Sequence, residues 1–276
     1  MPRRFFLLFL GLMLLAGTAP APEADPVLLP ILMYHDVEED GLGKDVVSPA
    51  ELEADLRWLR ASGYTAVTMG EVIDFVDGRR SLPDKPVVLS FDDGRQSVCL
   101  TVLPLLRKYG TPAVLSVIGE SADEFSALPG ENPRRAHASW AQLRAIADAG
   151  LGELQNHSYG LHRGSGGVFG CDRRPGESPE EYELRLAEDV LKAQECIWRE
   201  TGRLPSVFTY PYGRCSALSE AVLRELGFRA TLTCDFGVNR LTGDPDCLFG
   251  LKRICRSHGA DLPSLLAEAA ATLKGS

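Results

Sequence analysis

The sequence lacks several features that would assign it to common classes of protein. It has 38 acidic against 29 basic side chains and a formal net charge of −9, so it lacks the positive excess typical of nucleic-acid binders. No apolar run approaches the roughly 20 residues of a membrane-spanning helix. Internal repeats and low-complexity linkers are absent as well, and the 276 residues therefore predict one large domain.

The N-terminus has the pattern of an export signal. Two arginines precede residues 5–15, an apolar core of 11 residues that is followed by small residues. This length is typical of a secretory signal peptide. Because proline follows the cleavage site at residues 19–21, we expect residues 1–24 to be a signal peptide or, if uncleaved, a membrane anchor. The globular part then spans residues 27–276, and the protein is secreted or held in the cell envelope.

Cysteine is present without a metal-binding pattern. None of the seven cysteines is spaced as Cys-x-x-Cys, which argues against a structural zinc site. An exported chain can form disulfides, although an odd number leaves at least one cysteine unpaired or intermolecular. Cys215, Cys234 and Cys255 each fall near a predicted strand end and could lie close together. The alternative is that the cysteines are small buried residues.

Strand-like apolar runs alternate with amphipathic helical stretches. The eight predicted strands are Ile31–His35, Ala66–Met69, Val87–Phe91, Ala113–Ile118, Gly152–Asn156, Ser206–Tyr210, Arg229–Cys234 and Gly250–Ile254. Several are almost entirely apolar, as in a parallel sheet covered on both faces. Ser48, Ser139 and Ser178 precede an acid or amide by three residues and predict helix starts. Glycines 63, 110, 150, 202 and 227 predict helix ends. Seven or eight βα units in one chain predict an α/β barrel.

Two adjacent carboxylates, Asp92 and Asp93, follow the strand Val87–Phe91. Active sites of α/β barrels assemble where the strands end, and carboxylates at a buried strand end are costly unless something compensates them. Adjacent residues of a strand point to opposite sides, so we expect one aspartate to face a metal and the other a water molecule. The alternative is a simple Asp-Gly turn at Asp93-Gly94.

A second strand end is followed by two histidines, His157 and His162. Gly160 argues against a helix between them, so they can converge if the chain turns at the strand's end. One aspartate and two histidines make three hard or borderline ligands and leave positions open for water and substrate. A third strand end carries Pro211 and Tyr212, where the backbone could present the Tyr212 N–H to an oxyanion.

Taken in this order, three motifs resemble those of the NodB-homology polysaccharide deacetylases, carbohydrate esterase family 4. They are Ser90-Phe91-Asp92-Asp93-Gly94, His157-Ser158-x-x-x-His162 and Tyr210-Pro211-Tyr212-Gly213. The stretch Leu32–Val37 is similar to exported members, and the resemblance covers about residues 30–260. It implies a distorted barrel of seven or eight βα units, a single domain. It also implies a hydrolase that removes N-acetyl groups from a cell-wall or exopolysaccharide polymer of N-acetylglucosamine type.

The resemblance also implies site residues, cofactor and partner. Asp92 becomes the general base, while Asp93, His157 and His162 become ligands of a divalent metal, zinc or else cobalt, manganese or nickel. Tyr212 would supply the oxyanion N–H, and Pro211 would shape the substrate groove. The expected partner is an N-acetylated glycan, and the expected oligomeric state is a monomer.

The chain departs from the family pattern at several positions. Its two motif histidines are five residues apart rather than four, a spacing similar to that of poly-N-acetylglucosamine deacetylases. Thr209 stands where the family carries the arginine that orients the base, and Arg253, at a later strand end, is the candidate replacement. The motif that provides the general acid is not recognisable, and His35 is the candidate for that role. We expect His258 to lie in a loop and His137 to be exposed.

Two other functions would suit the same residues. One is an O-acetyl esterase of the same fold, and the other is a glycan-binding protein that has lost turnover. The Gly- and Arg-rich segment Arg163–Ser178 is predicted to form a loop over the site. Because such a loop would contact the substrate, it is expected to shape the choice of polymer.

Overall fold

Parallel strands and helices alternate along the chain in the computed structural model. The model describes residues 26–128, 136–165 and 167–274. The signal peptide or anchor predicted for residues 1–24 lies outside these described residues. No helix within them is both long enough and apolar enough to cross a membrane.

The strands and helices are numbered in chain order. The strands are β1 Val27–Leu29, β2 Ile31–Tyr34, β3 Asp36–Val37, β4 Val46–Val47, β5 Thr65–Ala66, β6 Pro86–Phe91, β7 Ala113–Val117, β8 Gly152–Asn156, β9 Gly164–Ser165, β10 Val168–Phe169, β11 Val207–Thr209, β12 Ala230–Phe236, β13 Asn239–Leu241 and β14 Leu251–Cys255. The α-helices are α1 Pro49–Ala61, α2 Met69–Val76, α3 Leu103–Tyr109, α4 Gly119–Ala127, α5 Trp140–Asp148, α6 Pro179–Thr201, α7 Ala217–Glu225 and α8 Leu262–Ala271. A π-helical turn, Val98–Val102, leads into α3, and the 3₁₀ turns are Pro211–Gly213, Pro245–Leu248 and Thr272–Lys274.

Seven parallel strands close into a barrel. Their order around the ring is β2-β6-β7-β8-β11-β12-β14, and β14 pairs again with β2. The two-residue strand β5 pairs with β6 outside the ring. The predicted α/β barrel is therefore confirmed, with seven strands in the ring. The predicted strand Ala66–Met69 was largely wrong, because Met69 already begins α2.

The helices begin and end largely where the sequence predicted. Ser48, Ser139 and Ser178 each form a capping box, in which the serine and the side chain three residues on bond each other's backbone N–H. The five predicted helix-terminating glycines all adopt positive φ, where residues other than glycine are strained. The apolar faces of α1, α3, α5 and α8 pack on the outer face of the barrel.

The barrel interior changes from apolar to polar along the strands. One end is filled by apolar side chains, among them Ile31, Val88, Val114, Val207 and Leu251. Alternate residues of a strand face the same side, so the positions two residues further along also face the interior. Those positions carry the buried polar residues Ser90, Ser116, Thr209 and Arg253. The Ser116 and Thr209 hydroxyl oxygens lie 2.7 Å apart, within hydrogen-bond distance. The sheet thus brings polar groups together at the C-terminal ends of its strands.

The segment Arg163–Ser178, predicted to be a loop, contains a short hairpin. Strands β9 and β10 pair antiparallel there. The Phe169 ring packs edge-on against the Tyr212 ring, with centroids 5.7 Å apart. Gly170 has a φ of 54°, and a Cβ at this position would collide with the carbonyl oxygen of Pro211. Glycine is therefore required for the close approach of the hairpin to the Pro211–Gly213 turn.

Candidate metal centre and active site

The two adjacent aspartates lie directly after β6 and are almost fully buried. Asp92 continues the ladder, because its N–H donates to the Tyr34 carbonyl at 3.0 Å. Asp93 has a φ of 69° and Gly94 a φ of 67°, so the chain turns sharply at this point. Aspartate tolerates this left-handed conformation better than most residues. As whole residues the two aspartates are only 2% and 5% exposed, and their carboxylates contact different partners.

Asp93 lies against both motif histidines. Its Oδ1 is 3.3 Å from His162 Nε2 and 3.6 Å from His157 Nε2. One ligand atom from each of these three residues lies within 4.8 Å of the others. The second carboxylate oxygen, Oδ2, accepts a hydrogen bond from Arg95 at 3.1 Å. Arg95 therefore holds one oxygen of Asp93, while Oδ1 is buried and has no hydrogen-bond partner.

The hydrogen bonding of His157 decides which of its nitrogens faces Asp93. Nδ1 lies 2.7 Å from the backbone carbonyl oxygen of Thr209, and a carbonyl only accepts. We infer that Nδ1 carries the proton, so in the neutral ring Nε2 presents its lone pair to Asp93 Oδ1. A lone pair and a carboxylate oxygen repel each other unless a proton or a metal cation lies between them. This arrangement fits a divalent metal ion bound by nitrogen and oxygen ligands.

The ionisation of the three groups follows from burial and from this proximity. Burial opposes the charge of Asp93, but His157, His162 and Arg95 outweigh it and hold the pKa of Asp93 well below its ordinary range. Burial also opposes the charged form of His157, yet the nearby aspartates raise its pKa. For His162, burial and the neighbouring His157 lower the pKa. Asp93 is therefore an anion, ready to ligate a cation.

Asp92 is paired with Arg253 rather than with the histidines. Arg253 Nη1 donates to Asp92 Oδ1 at 2.8 Å and to Ser90 Oγ at 2.9 Å, and its Nε donates to the Thr233 carbonyl at 2.6 Å. Burial opposes the charge of Asp92, but Arg253 outweighs it and lowers the pKa of Asp92. Arg253 thus lies where it can orient Asp92 and keep it ionised.

Most of the predicted site residues line one cavity of about 590 Å³. The predicted site residues that line it are His35, Asp92, Asp93, His157, His162 and Tyr212, whereas Pro211 and Arg253 do not. Tyr212 has a φ of 57°, and its ring lies against that of His162 with centroids 4.4 Å apart. His35 is partly buried, with Nδ1 3.9 Å from Asp45 Oδ1.

The other residues that line this cavity were given no role in the site by the sequence analysis. They are Met33, Asp36, Lys44, Asp45, Val46, Arg95, Tyr210, Cys234 and Cys255. Arg95 had a local signal, because it stands two residues after Asp93 in the same turn. All seven cysteines lie in the described residues, and none is in a disulfide. Two of the three cysteines predicted to approach one another, Cys234 and Cys255, therefore share a cavity as free thiols.

Two histidines lie outside this cavity. His258 Nδ1 is 2.9 Å from a Glu51 carboxylate oxygen and does not join the cluster. The prediction that His137 is exposed was wrong, because it is partly buried next to the ring of Phe125 at 5.6 Å. Burial, followed by the charge of Arg95, lowers the pKa of His137 to about 4. His137 lines a smaller adjoining cavity of about 240 Å³, which is also lined by Asp93.

The family model and the curated relatives that this chain matches are both described as deacetylases. A family model described as polysaccharide deacetylase matches residues 79–231, which is more than half of the chain. A poly-beta-1,6-N-acetyl-D-glucosamine N-deacetylase of Escherichia coli K12 is 29% identical over 227 residues, covering 75% of this chain and 34% of that protein. This chain thus spans about a third of the length of that relative.

Solved structures resemble the barrel over most of its length. A de-N-acetylase from Aggregatibacter actinomycetemcomitans is 26% identical with a TM-score of 0.74, covering 86% of this chain and 98% of that one. IcaB from Ammonifex degensii is 27% identical with a TM-score of 0.70, covering 88% of this chain and 95% of that one. The barrel of this chain is therefore similar in fold to these two solved proteins.

Proposed function

This chain belongs to the polysaccharide deacetylase family, and we propose that it hydrolyses N-acetyl groups of a poly-N-acetylglucosamine-type polysaccharide with the help of a divalent metal. The proposal rests mainly on one observation, which is that two carboxylates with different partners line the same cavity. Asp93 lies with two histidines, and Asp92 lies with a buried arginine. The polymer is suggested by the relatives that act on poly-beta-1,6-N-acetyl-D-glucosamine and by the five-residue spacing of the histidines.

The metal would be held by Asp93 Oδ1 and the Nε2 atoms of His157 and His162. When bound, a divalent ion supplies a Lewis acid for the acetyl carbonyl and makes a water molecule more acidic. We propose zinc, which favours this ligand set, with cobalt, manganese and nickel as ions that the same atoms would accept. Arg95 holds Asp93 by its other oxygen and would leave Oδ1 free to bind the ion.

Asp92 would act as general base. Its partner Arg253 keeps the carboxylate ionised at neutral pH and occupies Oδ1, which leaves Oδ2 to accept the proton of the attacking water. The backbone N–H of Tyr212 would stabilise the oxyanion, with Pro211 fixing the turn. His35, which also lines the cavity, is the proposed proton donor to the leaving amine.

The experiment measures acetate release and metal content of the purified protein. Oligomers of β-1,6-linked and β-1,4-linked N-acetylglucosamine, peptidoglycan and an O-acetylated sugar are compared as substrates. We expect acetate release from the β-1,6-linked oligomer, loss on chelation and recovery on adding Zn²⁺. Release from the O-acetylated sugar alone would indicate an esterase. Metal and oligomer binding without any acetate release would indicate a binding protein.

A matched pair of variants separates the two aspartates. Asp92→Asn should bind Zn²⁺ as the unmodified chain does but lose activity by at least about 100-fold, the lower range for a general base. Asp93→Asn should lose Zn²⁺ as well, because it removes a charged ligand. Full activity in Asp92→Asn would exclude Asp92 as the base.

The predicted location also belongs to this proposal. The apolar segment at residues 5–15 and a polymeric substrate of the cell wall or matrix both favour a place outside the cytoplasm. Cell fractionation of the full chain carrying a C-terminal tag tests it. Recovery in the cytoplasmic fraction alone would contradict it.

A further inference from the structure

In the turn between the two histidines, each backbone N–H from Ser158 to Leu161 donates a hydrogen bond to a side chain. The Ser158 N–H donates to the side chain of Asn156 at 2.8 Å, and the Leu161 N–H donates to Ser158 Oγ at 3.2 Å. The two amides in the middle, those of Tyr159 and Gly160, have no local acceptor of this kind. They depend on a residue far along the chain.

That residue is Asp189, on helix α6. Its Oδ1 accepts the Tyr159 N–H at 2.8 Å, and its Oδ2 accepts the Gly160 N–H at 2.9 Å. One carboxylate therefore bridges two successive amides midway between the metal-binding histidines. Helix α6 is itself anchored by buried side chains on the same face, since Tyr182, Leu186 and Val190 pack into the cluster with β11 and α7. Asp189 is thus fixed in place by the core.

The carbonyl side of the turn is held by a different helix. The N–H groups of Gly119 and Glu120, the first residues of α4, donate to the carbonyls of Ser158 at 3.1 Å and Tyr159 at 2.9 Å. A Cβ at Gly119 would lie 2.8 Å from the Tyr159 ring, so the two segments are in close contact. The turn is therefore clamped between α4 and α6, and Asp189 is the side-chain half of the clamp.

The histidine that needs this clamp is His162. His157 is anchored directly, because its Nδ1 bonds the Thr209 carbonyl inside the barrel. The His162 ring is 22% exposed and rests on the Tyr212 ring, so its direction depends on the backbone that carries it. A longer turn has more backbone freedom than a shorter one, and each amide that is held removes part of that freedom.

We propose that Asp189 is a positioning residue of the metal site, holding the five-residue turn so that His162 Nε2 points at Asp93 Oδ1. The proposal rests on the metal-ligand set proposed above. Asp189 makes its hydrogen bonds to the backbone of the turn, has none with the three ligand side chains in the described structure, and is not a catalytic residue. Its effect passes through the backbone of Tyr159 and Gly160.

The test is the Zn²⁺ affinity of three variants, measured by competition with a chromophoric chelator. Asp189→Ala removes both acceptors and should weaken Zn²⁺ binding about 10- to 100-fold, the range found for partners that orient ligands. Asp189→Asn keeps one carbonyl acceptor and should fall between Asp189→Ala and the unmodified chain. Glu188→Ala, an exposed neighbour on α6 with the same loss of charge, should bind Zn²⁺ normally.

A second comparison separates positioning from a merely structural role. In a His162→Ala background, Asp189→Ala should cause little further loss of Zn²⁺ affinity, because the ligand it orients is gone. Asp189→Ala binding Zn²⁺ within twofold of the unmodified chain would overturn the inference, as would an equal loss with and without His162. If Asp189→Ala does not fold, Asp189→Asn decides by the same criteria. An unmodified chain that binds no Zn²⁺ would instead overturn the proposed function.

Discussion

The buried Asp92–Arg253 pair allows a quantitative test of how this site is stabilised. The Arg253 side chain is 0% exposed and that of Asp92 3%, with 2.8 Å between Nη1 and Oδ1. Removing one partner of such a pair leaves a charge in a medium that solvates it poorly. The usual loss is about 3–5 kcal/mol. Arg253→Met should therefore lower the free energy of unfolding by about that amount.

The second variant, Asp92→Asn, tests the contribution of the negative charge of Asp92. Asp92→Asn keeps the shape of the side chain but removes the anion that Arg253 neutralises. When Arg253→Met and Asp92→Asn are combined, neither charge of the pair remains. The double variant should therefore lose less free energy of unfolding than the sum of the two single losses. Partners within one salt-bridge network are coupled by about 0.5–3 kcal/mol, and full burial places this pair near the upper end.

The assay is equilibrium unfolding in urea at pH 7, with excess chelator so that bound metal does not stabilise the folded state. The control replaces Arg256, a buried arginine that pairs with Asp55 at 2.7 Å. Combined with Asp92→Asn, Arg256→Met should give additive losses. Additivity within about 0.5 kcal/mol for the Arg253 pair as well would refute the reasoning.

Three further predictions concern other parts of the molecule. Thr209→Val leaves the Ser116 hydroxyl without its partner at 2.7 Å and should cost about 1–3 kcal/mol of stability, whereas adding Ser116→Ala should recover much of that loss in urea unfolding. Gly170→Ala introduces a Cβ against Pro211 at a positive φ and should reduce kcat/KM for the polymer more than for a single N-acetylated sugar; an equal reduction would contradict the role of the hairpin. Burial opposes the charge of Glu51, but hydrogen bonds from backbone amides and a histidine outweigh it and lower its pKa to about 2. Its stabilising effect relative to Glu51→Gln should be full above its ordinary pKa of about 4.5, decrease as the pH falls toward 2, and be absent below that value; a difference that is constant with pH would contradict this.

The sequence predicted that the candidate residues would lie together because parallel strands share a direction. Asp92, His157 and Tyr212 each follow a strand, and the C-terminal ends of parallel strands meet at one face of a barrel. Arg253 was named because the family resemblance implies an arginine at the position of Thr209, and a later strand offered one. These inferences needed only the order of strands and the identity of the residues after them.

The other contacts could not be predicted because they depend on packing between distant segments. Asp189 lies in an ordinary stretch of a charged helix, and no local pattern shows that it faces the turn at Gly160. His137 looked exposed because it precedes a polar helix start, yet Phe125 packs against it. The number of ring strands was also undecided, since Ala66 is apolar whether or not its strand β5 enters the ring.

The bond between His157 and the Thr209 carbonyl has a consequence for genetics. Every residue type has the same carbonyl group, so no substitution at position 209 can remove this acceptor. A complete substitution scan would report only how the side chain packs and bonds to Ser116, and would miss the contact that selects the histidine tautomer. Inserting or deleting one residue in β11, by contrast, would shift the alternation of carbonyls along the strand. We therefore expect this strand to tolerate exchanges of residues far better than changes in its length.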